Sequence, residues 1–103
     1  MNEELIKTKN AEILSTKGFI FEGKIPTQSL VCKWLRETHN IDISMCFKPN
    51  IKKWDFIPSF MNMNGKEYFK HYSEYFKTRK KRKYDTYEEA LEDGITESLE
   101  LLH

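Results

Sequence analysis

The sequence predicts an α+β fold, a small antiparallel sheet covered on one face by three to four helices. Three observations lead there. The stretch "IDISMCFK" (41–48) alternates strictly, with Ile41, Ile43, Met45 and Phe47 on one side and Asp42, Ser44, Cys46 and Lys48 on the other. That is the period of a half-buried strand. Residues 52–61 answer it with Trp54, Phe56 and Phe60 across a Pro49-Asn50 turn, as a hairpin does. Around this pair, residues 26–40 and 84–102 carry apolar side chains at helical spacing.

Taken in order, residues 2–17 read as a helix with Leu5, Ile6, Ile13 and Leu14 on one face and Gly18 at the C-terminal cap. Phe19, Ile20 and Phe21 form a short extended run, which Gly23 and Pro26 end. Thr27 suits the next N-cap. Leu30, Val31, Trp34 and Leu35 then make one stripe, away from Lys33, Arg36 and Glu37, and Asn40 suits a left-handed terminator. Pro58 has no backbone donor, which places its strand at an edge or a bulge. Residues 66–76 support two readings. Tyr68, Phe69, Tyr72, Tyr75 and Phe76 have helical spacing, whereas their β propensity favours a third strand. In the last helix Thr86 and Glu89 form a capping box, and Tyr87, Ala90, Leu91, Ile95, Leu99 and Leu102 form the apolar side. Gly94 costs that helix stability yet falls on its apolar side, which predicts close approach of a neighbouring element.

The 103 residues suit a single compact domain, 1–103, and aromatics at 14% must supply much of its buried area. Two cysteines are too few for a disulfide scaffold and suggest reduced thiols. No apolar run reaches membrane-span length, and "MNEELIKTKN" lacks the apolar core of a signal peptide, so the expectation is a cytoplasmic protein with no membrane partner.

The net charge of +1 conceals a dipole: residues 1–65 carry +2, 66–83 carry +6 and 84–103 carry −7. Lys77, Arg79, Lys80, Lys81, Arg82 and Lys83 form a candidate contact for nucleic acid or another anion. Glu88, Glu89, Glu92, Asp93, Glu97 and Glu100 line the outer side of the last helix, a candidate face for a basic protein partner. The two sets could also neutralise one another, since Glu88, Glu89 and Glu92 follow the basic run closely.

Catalytic, metal and cofactor readings find little purchase. Cys32, His39, Cys46 and His71 lack the tight pairs that pre-place structural zinc ligands. No G-x-S-x-G or glycine-rich phosphate loop occurs, and carboxylates on a solvated helix face have nothing to separate their pKa values. No catalytic, metal-ligating or cofactor-binding residue is therefore assigned, and no small-molecule ligand is expected.

"PTQSLVCKWLRETHNIDI" (26–43) and "YDTYEEALEDGITESLELL" (84–102), with "LSTKGF" (14–19) more loosely, resemble a group of small uncharacterised proteins of Bacteroides and related gut bacteria. The similarity covers about half the chain. It implies one compact domain, a bacterial cytoplasm and an association with phage-derived or mobile regions, and it transfers no catalytic residue. The expectation from sequence is thus a non-enzymatic accessory or protein-interaction module, with a hetero-partner or a second copy as its ligand. Nucleic-acid binding through 77–83 is the alternative.

Overall fold

The computed structural model describes residues 4–19, 24–61, 66 and 83–102. The readings of 20–23, of 67–76 as helix or strand, and of the basic run up to Arg82 fall outside the described residues. Those residues form three helices and a two-stranded antiparallel sheet in the order α1 (Thr8–Thr16), α2 (Gln28–His39), β1 (Ile41–Lys48), β2 (Lys53–Phe60) and α3 (Tyr87–Glu100). The α+β class is as expected from sequence.

The hairpin is in register along its whole length, from Ile41 opposite Phe60 to Lys48 opposite Lys53. Opposed residues share a face, so the alternation puts Ile41, Ile43, Met45 and Phe47 together with Trp54, Phe56, Pro58 and Phe60. Trp54 exchanges both backbone bonds with Tyr84 (2.8 and 3.0 Å), which turns its N–H away from β1. Phe56 and Pro58 follow at the same phase, so the donor that Pro58 lacks would have pointed away from β1, and the pairing is unbroken. The Phe56 N–H is bound instead by the carboxylate of Asp55 at 2.7 Å.

Helix α3 lies against that apolar face. A Cβ built on Gly94 would come within 3.0 Å of Ile43 Cγ2 and 3.2 Å of Phe56 Cγ, so the glycine is the point of closest approach. Ala90, Ile95 and Leu99 of α3, Val31 and Leu35 of α2, Leu14 of α1 and Ile41 and Phe56 of the hairpin are fully buried between the layers. Local chemistry sets the helix ends. Thr27 accepts from the Leu30 N–H and Thr86 from the Glu89 N–H, while Asn40 turns left-handed (φ 56°) after α2. The Lys17 ammonium donates to the Leu102 carbonyl just beyond the C-terminus of α3.

The N-terminal segment corrects the sequence expectation of a helix from residue 2. Residues 4–7 precede α1, and their backbone bonds reach across the molecule. Ile6 N–H donates to the Pro26 carbonyl (3.0 Å), Gln28 N–H to the Glu4 carbonyl (2.9 Å) and Lys7 N–H to the Glu92 carboxylate (3.0 Å). Leu5, expected on the buried face, is 53% exposed as a result.

Candidate interaction surface

The hairpin outruns the helix that covers it. Tyr87, the first residue of α3, reaches only as far as Trp54, which with Phe47 is the last pair on the apolar face before the turn. There Phe47 and Trp54, opposite one another, meet at a ring separation of 5.0 Å, and Trp54 meets Tyr87 edge-on at 5.2 Å. The three rings form a ridge in which Phe47 is 44% and Tyr87 40% exposed, with Ile51 exposed in the turn beside it. Both aromatic residues were expected to face the core. The alternation is obeyed, but the face it builds is longer than its cover.

Lys48, Lys52, Lys53 and Lys83 lie around the hairpin tip, with Lys48 and Lys53 on the face opposite the ridge. Lys48 pairs with the buried Asp55 at 3.5 Å, and Lys53 pairs with Asp85. Asp85 is mostly exposed, so its pair is screened and weakly held. Lys52 and Lys83 are exposed and make no ion pair among the described residues. Lys83, the last residue of the predicted anion contact, is tethered here because Tyr84 is locked to Trp54. Lys52 sits in the left-handed region (φ 55°), where a side chain costs about 1 kcal/mol relative to glycine.

The predicted acidic face is only half outward. Glu88, Glu89 and Glu100 are exposed. Asp93 and Glu97 are half-buried, and Asp93 accepts from the Tyr84 hydroxyl at 2.7 Å. Glu92 is a correction, because it is 6% exposed and turned inward. One carboxylate oxygen accepts from the Lys7 N–H (3.0 Å) and from Asn10 Nδ2 (2.5 Å), and the other accepts from Gln28 Nε2 (3.1 Å). Gln28 also donates to the Glu88 carbonyl, Asn10 to the Glu92 carbonyl, and Thr96 to Asn10 Oδ1. This knot ties α1, α2 and the N-terminal segment to the middle of α3. Two polar clefts of about 320 Å³ flank it, one bordered by Lys9, Tyr84 and Asp93, the other by Glu4, Gln28 and Thr86.

The thiols and imidazole have separate surroundings. Burial pushes the Cys32 thiol up to about 11 from its ordinary 9.0, opposed by the positive charge of Arg36. Cys46 is exposed on β1. His39 packs edge-on to Trp34 at 4.6 Å, with its buried Nε2 lacking a hydrogen-bond partner among the described residues. Among those residues no three His, Cys, Asp or Glu side chains gather closely enough to hold a metal ion, and no helix is long and apolar enough to cross a membrane. At mildly alkaline pH iodoacetamide is expected to alkylate Cys46 first and Cys32 only on unfolding, which peptide mass mapping checks. The raised folded-state value stabilises the protein fully below pH 9, and that contribution is lost as the pH rises towards 11.

Comparison of the chain with protein-family models, with curated proteins and with solved structures returns no match.

Proposed function

We propose that this chain is a small non-enzymatic binding module, an accessory protein of a bacterium or of its mobile elements, and that the aromatic ridge at the hairpin tip is its working surface. The observation that carries this is the exposure of Phe47 and Tyr87 on a continuous apolar face. Aromatic rings left together at a surface mark interfaces, because covering them returns the most free energy per residue. The exposed Lys52 and Lys83 near the hairpin tip suit a partner with negative charge. The exposed carboxylates of Glu88, Glu89 and Glu100 form a smaller second surface for a basic protein segment.

The test uses immobilised wild-type protein and a Phe47→Ser/Tyr87→Ser variant, each exposed to bacterial extract with and without nuclease. The expected result is a species retained by the wild type and lost by the variant. Each ring keeps about two-fifths of its surface exposed, so the variant should lose about 2–3 kcal/mol of stability and still fold. Identical retention by the two proteins would remove the ridge from consideration.

A further inference from the structure

We infer that the hairpin tip binds single-stranded nucleic acid, with Phe47 and Tyr87 offering ring surface to unpaired bases and Lys52 and Lys83 neutralising phosphates. This rests on the ridge being a binding surface and names what it binds.

Three observations converge on that ligand. First, two pieces of chain far apart in sequence meet here: the turn "KPNIKKW" (48–54), and the stretch from Lys83 to Tyr87 that Trp54 binds through Tyr84 and Tyr87. A strand of nucleic acid requires this combination of rings for its bases and cations for its backbone, in a form that tolerates any sequence. Second, the cations described at the tip, Lys52, Lys53 and Lys83, are lysines, whose ammonium groups meet a phosphate as point charges. Third, Lys52 occupies a left-handed backbone position that glycine fills without penalty. A charged side chain kept at a conformational cost, exposed and without an ion pair among the described residues, points to use of the charge outside the fold. Lys48 is held by the buried Asp55, so the lysines available to phosphate are Lys52, Lys83 and, once freed from the exposed Asp85, Lys53.

The same chemistry disfavours a second copy as occupant. A two-fold contact through the tip would set lysine against lysine around the shared ridge.

Fluorescence anisotropy with a labelled oligothymidylate of about 20 nucleotides, and with a duplex of equal length, tests the inference at about 50 and 200 mM salt. The expected result is micromolar binding of the single strand at low salt, weakening about tenfold or more at the higher salt, with the duplex bound less tightly. Lys52→Gly separates function from folding. It should bind several-fold more weakly while unfolding at a higher temperature than the wild type. Phe47→Ser/Tyr87→Ser should weaken binding about tenfold or more. Absence of binding at low salt overturns the inference, and so does binding unaffected by Lys52→Gly and by the ridge variant. If the oligonucleotide fails yet the ridge variant still loses a nuclease-resistant protein from extract, the ridge stands as a protein-binding surface and the nucleic-acid assignment falls. If both fail, both fall.

Discussion

Glu92→Ala is expected to lower the free energy of unfolding by about 3 kcal/mol or more, a large part of the stability of a domain this size. The substitution removes the acceptor for three donors at once: the Lys7 N–H, Asn10 Nδ2 and Gln28 Nε2. Each donor left unsatisfied in a buried site costs about 1–3 kcal/mol. Gln28 and Asn10 keep their bonds to the Glu88 and Glu92 carbonyls and each lose one of two acceptors, while the Lys7 N–H at the start of α1 loses the carboxylate it donates to. Glu92→Gln makes a sharper comparison. It preserves shape while turning one acceptor into a donor that must face another donor, so a smaller loss of about 1–2 kcal/mol is expected. Urea unfolding of the three proteins checks both values. A loss below about 1 kcal/mol for Glu92→Ala would mean that the knot does not hold α1 and α2 to α3.

Gly94→Val is expected to destabilise by about 3 kcal/mol, at the upper end of overpacking costs. The Cβ alone would stand 3.0 Å from Ile43 Cγ2 and 3.2 and 3.3 Å from two atoms of the Phe56 ring. Two methyl groups beyond it would have to enter the space that the ring and Ile43 occupy, so α3 must move off the hairpin or the ring must leave its rotamer. Gly94→Ala is the informative partner. Alanine gains about 1 kcal/mol in helix propensity and loses a similar amount to crowding, so a net change within about 1 kcal/mol is expected. Thermal unfolding of the two variants reads the contrast. If valine proved as well tolerated as alanine, the helix would not be pinned to the sheet at this point.

Where a feature depended on neighbours in sequence, it could be read without a structure. Thr27 and Thr86 cap their helices through their own first turns, and Asn40 ends α2 in the conformation its short side chain tolerates. The hairpin follows from alternation, and Gly94 announced its close contact by being a poor helix former on an apolar side. Glu92 could not be read this way. It stands among solvent-facing carboxylates, and what turns it inward are partners 64 and 82 residues away. The mispredicted start of α1 has the same origin, since residues 4–7 exchange helical bonds for contacts with Pro26, Gln28 and Glu92. The ridge was hidden for a geometric reason. Phe47 and Tyr87 keep the pattern of core residues, and only the length of α3 against the hairpin decides that they reach water.

Whether those two rings serve the fold or a partner is measured most directly by equilibrium unfolding of the Phe47→Ser/Tyr87→Ser variant. A loss of about 2–3 kcal/mol, the worth of two rings each a little over half buried, is the predicted result and leaves the ridge available for binding. A loss of about 6 kcal/mol or more, as for truncating two fully buried aromatic residues, would contradict it and make the ridge part of the core.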